Sequence, residues 1–135
     1  IITEQDIGIQ AFQRNLVRRD RLQSGMSLGT FVMQTDIQGG TMHTVRFTLM
    51  QGRKLFVPIP RGGHAKASKS RGLLALSKSD GEELSRILQA KGAYKSLLQE
   101  KFHNSSVAVS IHSRDDYSKV VCELEHVYTK LKRKL

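Results

Sequence analysis

Gly39, Gly40 and Thr41 open a run, QGGTMHTVRFTLMQGRKLFVPIP over residues 38–60, that reads as turn, helix and strand without a break. Glycine lets backbone approach a ligand closely, and the first turn of a helix offers N–H groups that have no acceptor inside the helix. These three residues are therefore candidates for holding a phosphate. From Ile37 to Ser79 the chain carries Arg46, Arg53, Lys54, Arg61, Lys66, Lys69, Arg71 and Lys78, and no Asp or Glu. A second basic cluster, Arg18-Arg19-Asp20-Arg21, supplies planar forked donors suited to phosphate oxygens, with Asp20 able to hold a neighbouring arginine in place. Each motif also has a plain structural reading, a solvated helix face for the arginines and an ordinary strand-to-helix turn for the glycines. Their presence in one chain is what favours phosphate binding.

Other chemistries lack their residues. His43, His64, His103, His112 and His126 include no i, i+4 pair, and Cys122 is the only cysteine, so neither a metal site nor a disulfide is expected. The acids nearest the glycines in sequence are Asp36 and Asp80, which leaves acid–base catalysis without its usual pair. No enzyme activity and no cofactor are expected. Cys122 reads as a small packed side chain in an amphipathic helix, and Tyr94, Tyr117 and Tyr128 read as core residues rather than base-stacking platforms.

A chain of 135 residues with 39% hydrophobic content suits one compact domain plus an appended element. The net charge of +10 and a pI near 10.1 point to nucleic acid, nucleotides or an anionic surface as partner, with nucleic acid favoured. No run of about 18 apolar residues and no amino-terminal signal pattern is present, and a single cysteine suits a reducing compartment, so a cytoplasmic setting and no membrane association are expected. The chain opens at Ile1 without a methionine, which suggests a fragment.

The elements that position these residues follow from spacing. Ile1 to Glu4 read as the end of a strand. Apolar Phe12, Leu16, Val17 and Leu22, with arginines between them, predict a basic helix over about 10–26, stopped at Ser24-Gly25. LGTFVMQT over 28–35 predicts a buried strand, Thr41 to Gln51 an amphipathic helix ended by Gly52, and LFVPIP over 55–60 a second strand. Strand, helix, strand at this spacing implies a parallel pair whose ligand edge lies at the carboxyl ends, where the Gly-Gly turn falls. RGGHAKASKSRG over 61–72 reads as a mobile surface loop. Ser79 with Glu82 predicts a capping box for a helix with Leu84, Ile87 and Leu88 that ends near Gly92, followed by a turn or two around Leu97, Leu98 and Phe102. VAVSIH over 107–112 alternates like a strand. Asp115 or Asp116 is placed to cap a last helix with Val120, Val121, Leu124, Val127, Tyr128 and Leu131 on its apolar side.

RRDRLQSGMSLGTFVMQT followed by GGTMHTVRFTLMQGRKLFVPIP resembles the DNA-processing protein DprA/Smf family. That family typically shows an Arg-Asn-Arg helix start, a strand, a Ser-Gly-Ser turn, a helix, and Gly-Arg before the next strand. Arg19, Asp20 and Arg21 match the first motif, Gly39, Gly40 and Thr41 the second, Gly52 and Arg53 with Phe56 the third, and Ser70 and Gly72 the Ser-x-Gly that follows. Asp20 stands where the family usually has Asn, and Gln34 where an acidic residue is common. The resemblance covers about residues 1–78 and implies a Rossmann-like α/β fold whose further glycine motifs would lie ahead of Ile1. It also implies single-stranded DNA binding, dimerisation and help in loading a RecA-type recombinase during transformation.

The expected organisation is thus the carboxyl-terminal half of a Rossmann-like domain, with a parallel sheet and flanking helices, over 1–78, and a small α/β extension of unassigned role over 79–135. The expected phosphate or nucleic-acid contacts are Arg18, Arg19, Arg21, Gly39, Gly40, Thr41, Arg53, Arg61, Lys66, Lys69, Ser70 and Arg71. Two other readings stay open: a domain that senses a nucleotide or nucleotide-derived ligand, and an interaction module built on the basic last helix. His43, Thr44, Val45 and Arg46 stand where related phosphoribohydrolases carry a glutamate, which disfavours hydrolysis.

Overall fold

The computed structural model describes residues 4, 6, 8–10, 12–133. The strand expected at Ile1 to Glu4 lies largely outside them, and Glu4 itself sits in a bend. In chain order the elements are α1 (Gln13–Gly25), β1 (Gly29–Phe31), α2 (Thr41–Met50), β2 (Lys54–Pro58), α3 (Arg71–Lys78), α4 (Gly81–Ile87), α5 (Gly92–Lys101), β3 (Val109–Ile111) and α6 (Tyr117–Lys132). The strands form one parallel sheet in the order β1-β2-β3, with Gly29 opposite Lys54 and Phe56 opposite Val109. β2 is the central strand, and its burial shows it.

Successive residues of a strand face opposite sides of the sheet, so Leu55 and Val57 enter one apolar cluster and Phe56 another. The larger cluster joins β2 to Val45 and Leu49 of α2, Leu73 and Leu76 of α3, Leu84 of α4, and Tyr94 and Leu98 of α5. On the other face Phe56 meets Ile111 and Val120, with Leu124 of α6 packed beside them. Helices thus cover both faces of a parallel sheet, the α/β Rossmann-like architecture expected from the strand–helix–strand spacing. β3 and α6, from the segment expected as an extension, belong to this same sheet and its second face.

Three local expectations are corrected. Residues 61–72 lie at the surface as far as Lys69 but are not a structureless loop: two 3-10 turns, Gly62–Lys66 and Ser68–Ser70, lead straight into α3, whose Gly72 N–H donates to the Thr35 carbonyl at 3.0 Å. The cap of α4 is Asp80, whose carboxylate accepts from the Glu83 N–H at 2.9 Å; Ser79 is buried and closes α3 by donating its N–H to Ala75. On α6 only Val120 and Val127 are fully buried, while Val121, Tyr128 and Cys122 are exposed. The inward line of a helix advances by three or four residues, and positions 121, 122 and 128 fall off it. Tyr117 is exposed as well, so Tyr94 alone of the three tyrosines is a core residue. At the head of α6, Asp116 accepts N–H bonds from His112 at 2.6 Å and Ser113 at 3.1 Å.

Candidate functional site

Beyond β1 come Val32, which is buried, and Thr35, which is 5% exposed, and the chain then turns through Asp36 to Gly39. Two helix starts converge there. A Cβ on Gly39 would lie 2.8 Å from the Thr35 hydroxyl oxygen, and one on Gly72 would lie 2.7 Å from both the Thr35 methyl group and its carbonyl oxygen. Both glycines therefore let backbone pack against backbone, and the starts of α2 and α3 are drawn to the same strand end.

Gly40 differs. A Cβ there would meet nothing within 4 Å, so the fold leaves open space over the first turn of α2. Among the described residues the N–H groups of Gly40 and Thr41 have no hydrogen-bond acceptor, whereas those of Met42 and His43 donate to Gly39 and Gly40. No side chain caps this helix, and its first turn holds no acid. The arrangement offers two unused donors and the positive end of a helix dipole to an anion.

Around this turn the structure gathers a basic rim. Arg71 donates to the Asp36 carboxylate at 2.9 Å, and that bond, with a backbone N–H from Ile37 at 2.7 Å, holds the Asp36 carboxyl below the ordinary aspartate range. Lys66 and Lys69 are exposed on the 3-10 turns just before Arg71. Arg61, at the carboxyl end of β2, donates to the His112 carbonyl at the end of β3. From the other side α1 packs on α2 and brings Arg14 and Arg18 into a shallow cleft shared with His43. Arg14 was not among the expected contacts. The signal was available, since Arg14 and Arg18 stand four residues apart and so share a helix face.

Several expected contacts lie elsewhere. Arg21 pairs with Glu4 at 2.7 Å, and its carbonyl accepts from Gln51 beyond the far end of α2. Ten helical residues, about 15 Å, separate that end from Gly40. Arg19 is 58% exposed, with Asp20 at 3.9 Å. Arg53 is bound into the fold, donating through Nη2 to the Gly25 carbonyl at 2.7 Å. Ser70 is 4% exposed and packs at the start of α3. The structure therefore brings Gly39, Gly40, Thr41 and Arg71 to one turn, with Lys66 and Lys69 on the exposed 3-10 turns that lead into Arg71, Arg18 on the α1 side beside His43 and Arg61 at the neighbouring strand end.

Among the described residues no group of three or more His, Cys, Asp or Glu side chains could hold a metal ion, and no helix is long and apolar enough to cross a membrane. The family model described as DNA recombination-mediator protein A matches residues 1–91. The chain belongs to the DNA recombination-mediator protein A (DprA) family. The DprA match takes in α1, β1, the Gly-Gly turn, α2, β2, the 3-10 turns, α3 and α4, and stops at the residue before α5. Membership supports a role in DNA recombination or processing and agrees with the motif series from Arg19 to Gly72. Searches of curated proteins and of solved structures gave no match.

Proposed function

We propose that this DprA-family chain binds single-stranded DNA along the carboxyl edge of its sheet and assists loading of a RecA-type recombinase, acting as a homodimer and without catalysing a reaction. The observation that carries the reading is the uncapped start of α2, where two backbone donors lack an acceptor among the described residues and the space over Gly40 is open, with basic residues on the neighbouring α1 and 3-10 turns. One backbone phosphate would take the N–H groups of Gly40 and Thr41. Arg18 on one side and Lys66, Lys69 and Arg71 on the other would meet the phosphates that flank it.

A single strand suits this site better than a duplex because the helix start lies in a turn between elements, where a flexible backbone can bend in. Each phosphate neutralised releases counterions, so affinity falls with salt by a slope of about 0.7 per contact on a single strand. Fluorescence anisotropy with a labelled single strand and a duplex of equal length, at several salt concentrations, tests the reading. The expected result is single-strand preference, a smaller salt slope for Arg18→Gln with Lys69→Gln, and weaker binding for Gly40→Val, whose branched side chain would stand over the two donors. Equal affinity of the Gly40 variant and the parent would overturn the placement of the phosphate.

A further inference from the structure

The opposite edge of the sheet carries charge that the DNA-binding reading leaves unused. At the amino ends of β2 and β3 lies a cavity of about 490 Å³, lined in part by Arg53, Lys54, Lys101 and Lys119, with Glu123 as its one acid. Glu123 is committed: its carboxylate sits 2.7 Å from the Lys54 amine, and that bond holds the Glu123 carboxyl below the ordinary glutamate range. Among the described residues Arg53, Lys101 and Lys119 have no acidic partner.

Two further observations say that this clustering is unbalanced. Nε and Nη1 of Arg53 are buried and make no hydrogen bond among the described residues, so the guanidinium, held at Nη2 by the Gly25 carbonyl, adds a positive charge to the wall that no acid offsets. Burial lowers the pKa of the Lys101 amine, and repulsion from Lys130 and Lys54 lowers it further. Four cations with one acid in a concave site gain from an anion that carries more than one charge.

We infer that this cavity is a second anion site, taking a compact ligand with a diphosphate-type group between Lys101 of α5 and Lys119 of α6, with the charge of Arg53 ahead of β2 adding to the field. β2 spans five residues, about 16 Å, so one small ligand cannot bridge this cavity and the Gly-Gly turn. The site stands independently of DNA binding. Because its walls come from α5, α6, β2 and β3, an occupant ties these elements together and raises the melting temperature.

The test uses the full chain in thermal melts with inorganic phosphate, pyrophosphate or a nucleoside diphosphate, each against sodium chloride of equal ionic strength. About 10 mM pyrophosphate is expected to raise Tm by about 4 °C, and phosphate by less. Calorimetry should show pyrophosphate affinity about tenfold weaker in Lys101→Gln with Lys119→Gln, and unchanged in Arg18→Gln with Lys69→Gln. Lys119→Gln alone, at an exposed position, serves if the double variant does not fold. A nucleoside diphosphate that matches pyrophosphate shows that the diphosphate alone is read, and tighter binding shows that the apolar wall contributes. A shift no larger than that of matched chloride, or one that survives the lysine variants, overturns the inference. So does an equal loss of single-stranded DNA affinity in the Lys101/Lys119 and Arg18/Lys69 variants, which would make the cavity part of a nucleic-acid path.

Discussion

Asp36 is the only acidic residue between Asp20 and Asp80, and it sits beside the phosphate site proposed at Gly40. Its carboxylate orients Arg71 while subtracting a charge from the rim, so Asp36→Asn should act on stability and on binding in opposite senses. A carboxyl whose pKa is lowered by folding contributes stability that is present above its unfolded pKa and lost as pH falls through the folded one. The variant should therefore be less stable than the parent in urea at pH 7, with the gap closing as pH drops below about 4, the usual aspartate value. Single-stranded DNA affinity at low salt should rise by roughly threefold, since one repulsive charge is gone. A stability gap that persists unchanged at low pH would show that the pair with Arg71 is not its source.

The starts of α2 and α3 both pack closely on the end of the first strand segment, and their glycines separate packing from function. Gly72→Ala should cost about 2 kcal/mol, because the new Cβ would press on the Thr35 carbonyl and methyl group, outweighing the helix propensity gained. Gly40→Ala should stay within about 0.5 kcal/mol of the parent, its Cβ meeting only open space. Paired chemical denaturation curves measure both, and equal costs would refute the distinction. α1, β1, α2 and β2 were legible in sequence because apolar spacing, Gly52 and the prolines of LFVPIP mark them. The turns before α3 were not. Residues 61–72 have almost no apolar content, and what fixes them is backbone: Gly72 donating to Thr35, which no periodicity records. The α4 cap was misplaced by one residue because Ser79 and Asp80 are both good capping types, and burial of Ser79 at the end of α3 decides between them. At the site the cluster of basic residues was legible, but whether each faces the Gly-Gly turn was not. Arg18 and Arg21 are three positions apart on one helix, yet the parallel packing of α1 on α2 sends one to each end of α2.

At the scale of the molecule, the part that matches the DprA family does not contain the whole core. A fragment of residues 1–91 keeps β1, β2 and the Gly-Gly turn but loses β3 together with Tyr94, Leu98, Val107 and Ala108, all buried in the larger cluster. Such a fragment should show no cooperative thermal transition by circular dichroism, where the full chain shows one; a sharp transition near the parent Tm would mean that α5, β3 and α6 are dispensable. The order β1-β2-β3, parallel throughout, also bears on how the chain reaches this state. No two of these strands can zip from a hairpin. Gly29 must find Lys54 across α2, and Phe56 must find Val109 across more than twice that length of chain. Loop closure comes before the contacts that reward it, so folding should be slow for a chain this size, with β2 waiting longest for its second neighbour.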